Sequence, residues 1–317
     1  MAKADYIISL IKSHYDGEPE RFTTLALQIA AYEAKMGHIG VASEIKNYID
    51  KSRENRFKSK NFSSDLQGLI IEDITSVNLN DIITSTDIKN KINRIIGEFV
   101  QRDKLLKNDL ENRRKILLSG PPGTGKTLTA SIIANELRLP LYTILMDKMV
   151  TKFMGETSAK LRQVFDLIQQ KRGVFLFDEF DAIGGERSRD NDVGEMRRVL
   201  NSFLQFIERD RSESLIIAIT NNKKLLDQAL FRRFDDVIIY HLPNAKEKKE
   251  LLQNRLAKFS SKINYTSLVQ NINGLSHAEI TLACLDAIKE TVLNAKQPMS
   301  NQLIMKAIKD RNAAYHK

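Results

Sequence analysis

Apolar positions along this chain fall into two textures. Up to about residue 50 they recur at helical spacing. Ile7, Leu10, Ile11 and Tyr15 share a face over 3–15, and Phe22, Leu25, Ile29, Tyr32 and Met36 follow at steps of three and four over 20–36. Gly37 is placed to end that second helix, and Ile45, Tyr48 and Ile49 mark a third. A small helical bundle is predicted over 1–51, its stripes forming a core or leaving a groove for a partner peptide. Residues 52–68 are polar, basic and aperiodic, as a linker is. From Leu69 the texture changes. The runs KILLSG, PLYTIL, GVFLFDE, SLIIAITN and DVIIYHLP alternate with amphipathic stretches. That alternation predicts an α/β fold, with a parallel five-stranded sheet covered by helices on both faces over 69–243. After Pro243 only helical patterns remain, so 244–317 reads as a small all-α unit. Leu252, Leu256 and Phe259 fall on one face there, and Ser276 with Glu279 has the spacing of a capping box.

Composition narrows this modestly. The chain has 317 residues, 42% hydrophobic and 28% charged, which fits an ordinary globular protein of about two domains. One cysteine excludes a disulfide framework and a cysteine-cluster zinc site; Cys284, between Ala283 and Ala287, reads as a small core residue. No apolar run approaches the roughly 18 residues of a membrane span. The first thirty residues lack the uninterrupted apolar stretch of a secretory signal, so a cytoplasmic protein is expected. The net charge is +9, and it is uneven. Residues 69–240 are near neutral, whereas 241–317 carry 12 basic against 6 acidic side chains, and Lys51, Arg53, Arg56, Lys58 and Lys60 form a local block. Such segments suit assembly, an acidic partner or nucleic acid.

The chemistry concentrates in two motifs. Gly120-Pro121-Pro122-Gly123-Thr124-Gly125-Lys126-Thr127 fits G-x-x-x-x-G-K-[ST], between a predicted strand and a helical run opening at Leu128. Bare glycine backbone lets N–H groups converge on an anion, and the following helix adds its positive dipole end. Lys126 would reach the β- and γ-phosphates of a nucleotide, and the Thr127 hydroxyl would ligate Mg²⁺. The second motif is Val174-Phe-Leu-Phe-Asp178-Glu179, an apolar strand ending in two carboxylates where α/β sheets place ligands. Asp178 would hold the Mg²⁺ shell, and Glu179 would take a proton from an attacking water. Together the two imply hydrolysis rather than binding alone.

At GPPGTGKT and FLFDEFDAIGGER the sequence resembles the AAA family of ATPases, which implies a P-loop NTPase domain with a helical lid, using ATP and Mg²⁺. The resemblance continues beyond those motifs. Over 214–222 it implies that Asn221 is the sensor that orients the lytic water. Over 226–235 it implies that Arg232 and Arg233 are arginine fingers reaching a neighbouring subunit's nucleotide, and hence a homo-oligomeric ring, in this family usually a hexamer. Gly274-Leu-Ser276-His277-Ala278-Glu279 is similar to the family's lid motif, with His277 where glycine is usual. The lid helix carries no arginine sensor, which favours protein remodelling over DNA loading.

Further implications concern the substrate. Phe153 and Met154 stand where threading relatives place a pore loop that grips polypeptide; the other reading tucks Phe153 under the large domain. Residues 186–198, with Arg187, Glu195 and Arg197, match a second pore loop, intersubunit ion pairs or plain surface. No H-E-x-x-H motif appears, so proteolysis would need a separate effector. The expected function is ATP-driven remodelling, unfolding or disassembly of a protein recruited through residues 1–51. In layout this is similar to katanin, spastin and ESCRT-disassembly ATPases. A nucleic-acid-associated ATPase and an ATP-dependent switch are the alternatives.

Overall fold

The computed structural model describes residues 8–10, 12–13, 19–47, 66, 68–149, 156–180, 190–221, 231–259, 263–294 and 299–315. It divides the chain into two compact units, 1–67 and 68–317. In the first, helix α1 (Pro19–Lys35) gives way to a turn at Met36 and Gly37, and residues 39–47 are helical again. Gly37 has φ +87°, a left-handed turn that glycine adopts without strain. The buried line on α1 is Ala26, Ala30 and Glu33, with Phe22, Leu25, Ile29 and Tyr32 half-buried beside it. Met36, expected on the stripe, is exposed because the helix has already ended. Glu33 is held by His38 Nδ1 at 2.7 Å across that turn. Tyr48 and Ile49, and the linker apart from Leu66 and Gly68, lie outside the described residues.

The second unit is built on a six-stranded sheet: β1 (Ile70–Asp73), β2 (Lys115–Ser119), β3 (Leu141–Leu145), β4 (Val174–Asp178), β5 (Leu215–Thr220) and β6 (Asp236–Ile239). Their order across the sheet is β1-β3-β4-β5-β2-β6. The five strands β2 to β6 run parallel, as the apolar runs predict. An antiparallel edge strand, β1, pairs Ile70 with Ile144 and Asp73 with Leu141. Its four residues carry too little pattern to announce a strand.

Every residue of β2 and β5 is buried, which requires cover on both faces. On one face α2 (Thr86–Val100) and α3 (Lys126–Glu136) bring Ile88, Ile92, Ile95, Ala130 and Ile133 against Ile116, Leu118, Leu176 and Ile217. On the other, α4 (Glu156–Gln170) and α5 (Asp190–Arg209) supply an aromatic cluster. Phe165 stacks on Phe177 with ring centroids 5.8 Å apart, and Phe203 meets Phe177 edge-on at 5.0 Å. Residues 190–198 are helical within α5, so this part of the expected second pore loop is not a loop; 186–189 lie outside the described residues.

The helices α6 (Ala245–Leu256), α7 (Tyr265–Gln270), α8 (His277–Leu293) and α9 (Asn301–Tyr315) enclose a separate core of Leu252, Leu256, Leu268, Ile280, Cys284 and Ile304. Leu251 completes the α6 face, and Phe259 lies half-buried in a 3₁₀ turn beyond it. The Ser276–Glu279 capping box is formed, with Ser276 N donating to Glu279 Oε2 at 2.6 Å. Asn244 and Glu247 cap α6 in the same way. Some of the unit's excess basic charge is paired, Arg311 with Asp286 and Lys306 with Glu290. No described helix is long and apolar enough to cross a membrane.

The strand ends away from the nucleotide motifs are tied by buried polar groups. The Arg114 guanidinium pairs with the Asp210 carboxylate, which also accepts from Gln169 Nε2 at 2.7 Å and from Ser212. Asp235 Oδ2 accepts from both Arg114 N and Lys115 N at 2.9 Å. Burial and adjacent Arg114 push the Lys115 ammonium below its ordinary range. Removing one partner from a buried pair strands the other charge. Asp210→Ala is therefore expected to lower stability by about 3–5 kcal/mol, read as a lower urea midpoint, with Asp210→Asn losing less because its amide still accepts from Gln169.

Candidate functional site

The carboxyl ends of the parallel strands carry the site. β2 runs directly into Gly120, β4 ends in Asp178, β5 leads to Asn221, and β6 leads to Tyr240. Two glycines of the first motif are required by space. A Cβ on Gly120 would come within 2.4 Å of the Tyr240 carbonyl oxygen, and one on Gly123 within 2.5 Å of Ser276 Oγ. Gly123 has φ +71° and Gly125, the N-cap of α3, has φ +98°, so the loop curls as few other residues would allow. The Thr124 hydroxyl donates to the Pro121 carbonyl at 2.7 Å and fastens the curl.

Behind the loop, Thr129 Oγ1 donates to the Gly125 carbonyl at 3.0 Å and lies 2.5 Å from the Tyr240 hydroxyl. Burial pushes the Tyr240 phenol well above its ordinary range, so it stays neutral and remains a hydrogen-bond donor. The first turn of α3 is thus registered against the end of β6.

The loop closes one wall of a cleft of about 610 Å³, a size suited to a small organic ligand. Pro122, Gly123, Thr124, Gly125, Lys126, Thr127 and Leu128 all line it, together with Asp178, Glu179 and Asn221. Gly120 and Pro121 stand behind the wall, where their carbonyls accept from Lys126 Nζ at 2.8 and 2.7 Å. The lysine is folded back on its own loop, within a side-chain rotation of the space in front. Thr127 Oγ1 donates to Asp178 Oδ2 at 3.2 Å, so a hydroxyl and a carboxylate from the two motifs converge on one point. That oxygen pair suits a hard divalent cation such as Mg²⁺. Glu179 has φ +54°, a conformation uncommon for a side chain of its type, and its N–H donates to Asp178 Oδ1 at 2.8 Å.

The arginines fall elsewhere. Arg232 is exposed and Arg233 donates to Glu208 Oε2 at 2.6 Å; neither lines the chain's own cleft. Phe153 and Met154 lie outside the described residues. Conversely, the cleft uses residues that carry no motif. Asp81, Ile82 and Ile83, before α2, and Leu251, Arg255, His277, Ala278 and Leu282 line it as well. Of these, the sequence pointed only to His277 and Ala278, through the Ser276–Glu279 capping signal and the likeness of 274–279 to the family's lid motif.

With this geometry in view, comparison with known proteins identifies the chain. Residues 116–242 match the model of the AAA family, the ATPase family associated with various cellular activities. An uncharacterized AAA family ATPase of Sinorhizobium fredii, y4kL, is 30% identical over 320 residues, covering 98% of this chain and 96% of that protein. The proteasome-activating nucleotidase of Sulfurisphaera tokodaii is 32% identical, over 76% of this chain and 64% of its own length. An ATP-dependent zinc metalloprotease FtsH of Karelsulcia muelleri is 32% identical over 67% of this chain and only 36% of that protein. A glycine-built anion loop, a converged hydroxyl and carboxylate, and similarity along nearly the whole of one relative agree: the chain belongs to the AAA family of ATPases and hydrolyses ATP.

Proposed function

We propose that this ATPase works as a homo-oligomeric ring, a hexamer, that converts hydrolysis into remodelling, unfolding or disassembly of a protein substrate. The observation that carries this reading is the shared cleft. One wall is the phosphate loop and the other is the helical unit, so a change at the phosphates bears directly on the placement of α8. Relatives named for proteasome activation and for ATP-dependent proteolysis support a protein substrate, and a separate peptidase or other effector is a natural partner. The domain layout follows: 1–51 recruits substrate or adaptor, 52–68 links, 69–243 binds and hydrolyses ATP, and 244–317 is the lid. The match to y4kL covers 98% of the chain, so it includes the N-terminal unit, but the katanin and spastin likeness rests on layout alone.

Within the site, Lys126 exchanges its two carbonyl partners for the β- and γ-phosphates. Thr127 and Asp178 hold Mg²⁺, which neutralises phosphate charge when bound. Glu179 takes the proton as the water oxygen attacks the γ-phosphorus and the bond to the bridging oxygen breaks, and Asn221 orients that water. Arg232 is the better finger, being exposed, because Arg233 is engaged by Glu208 within its own chain. Phe153 and Met154 grip the substrate.

Lys126→Ala is expected to abolish ATP binding by calorimetry and, with it, ring assembly by light scattering; an ATP-independent hexamer in that variant would contradict the reading. Arg232→Ala should cost about 10³-fold or more in turnover. Mixing it with inactive Glu179→Gln subunits should restore some hydrolysis, since one interface then holds an intact base and an intact finger. Zero recovery in proven mixed rings would count against action in trans. Unfolded polypeptide, but not DNA, should stimulate turnover, and Phe153→Ala should abolish that response. Stimulation by DNA alone would transfer the protein to nucleic-acid work.

A further inference from the structure

The helical unit meets the phosphate loop through main chain. Ala278 N–H donates to the Gly123 carbonyl at 3.0 Å. Gly123 lies so close beneath α8 that an added Cβ would approach Ser276 Oγ to 2.5 Å and the Ala278 Cβ to 3.1 Å. The residue between those two neighbours is His277. It lines the nucleotide cleft, is only 9% exposed, and among the described residues neither ring nitrogen has a hydrogen-bond partner.

A side chain needed only to fill this space would be apolar. A buried polar group without a partner disfavours the arrangement that buries it. Here that penalty falls on the one residue whose chain neighbours on both sides touch Gly123. The docked first turn of α8 therefore carries its own opposing force, and the force acts on the loop that holds phosphate.

We propose that His277 is a positioning residue: by opposing the docking of α8 on Gly123, it sets how quickly bound nucleotide leaves the phosphate loop. The proposal rests on the nucleotide site described above and adds to it the control of dwell time. A side chain without unpaired nitrogens leaves the turn docked for longer.

The same arrangement responds to pH. Burial holds the docked imidazole below its ordinary value near 6.5, with Glu247 on α6 pulling the other way. Other charged groups near the turn are Glu279 of α8, whose carboxylate accepts from Ser276 N, and the side chains that line the same cleft: Arg255 of α6, Lys126 of α3, Asp81, Asp178 and Glu179. When α8 lifts and water reaches the ring, its affinity for a proton returns to the ordinary value. Acid then stabilises the undocked state, because that state takes up the proton first. Nucleotide release should accelerate as pH falls below about 6.5 and be flat above about 7.5.

The test is displacement of a fluorescent N-methylanthraniloyl-ADP from the full-length protein by excess ADP, followed by stopped flow from about pH 8 to about pH 6. Wild type should release faster at the acid end. His277→Phe, which keeps a ring and removes both nitrogens, should slow release by about tenfold, within what one unpaired buried group costs, and its rate should not vary with pH. His277→Gln, which stays polar, should release near the wild-type rate at about pH 8 and lose the acid response. A ring that merely fills space predicts that the Phe variant matches wild type. That result, faster release from the Phe variant, or an acid response that survives in it would each overturn the proposal. Should His277→Phe not fold, the His277→Gln profile decides: loss of the acid response with a near wild-type rate at about pH 8 supports the proposal, and an acid response that survives refutes it. Failure of wild type to bind the analogue would refute the nucleotide site as well, an outcome distinct from binding that is indifferent to residue 277.

Discussion

The phosphate loop is clamped between two surfaces that leave no room for side chains. On one side the Tyr240 carbonyl lies against Gly120, and on the other Ser276 and Ala278 lie against Gly123. Tyr240 follows β6 and Ser276 caps α8, so a single short loop fixes the relative positions of the sheet edge, α3 and α8. The Thr129–Tyr240 hydroxyl pair and the Ala278–Gly123 bond make the clamp specific. Other elements of this unit support it. The doubly covered sheet brings Gly120, Asp178 and Asn221 to one edge, and the buried Arg114–Asp210 pair anchors the opposite edge.

The two faces of that sheet are held by different chemistry. Aliphatic side chains of α2 and α3 interlock over β2, while Phe165, Phe177 and Phe203 make a ring cluster under α4 and α5. The aromatic side lies beneath Asp178 and Glu179, with Phe180 against Phe203 at 4.5 Å just past the acidic pair. The strained backbone at Glu179 is therefore backed by rings packed on both sides of it in sequence, which limits how far the carboxylate can swing.

Much of this was legible in the residues. Five continuous apolar runs mark the parallel strands because buried strands cannot hide their composition, and the loop motif names its own chemistry through its glycines. What escaped did so for physical reasons. Strand β1 is four residues of IIED, half of them charged, and it exists only because β3 offers an open edge. The rest of the cleft lining, with Ile82, Leu251 and Arg255, draws on segments far apart in sequence, each with an ordinary local pattern. Glu208 gave no sign of its hold on Arg233, since tertiary ion pairs leave no spacing signal. Met36 was misplaced by extending a helical period one residue into the turn that stops it.

The sole cysteine has a consequence for measurement. Cys284 is fully buried in the core of the C-terminal helices, and burial pushes its thiol up to about 12, so the reactive thiolate is scarce and shielded while those helices are packed. Alkylation of this sulfur must wait for the helices around it to part. Its rate in native protein therefore reports the local opening of this helical core, separately from events in the sheet. Nucleotides, partners and temperature can each be ranked by how they slow or hasten that single covalent event, with the chain's own sequence serving as the probe.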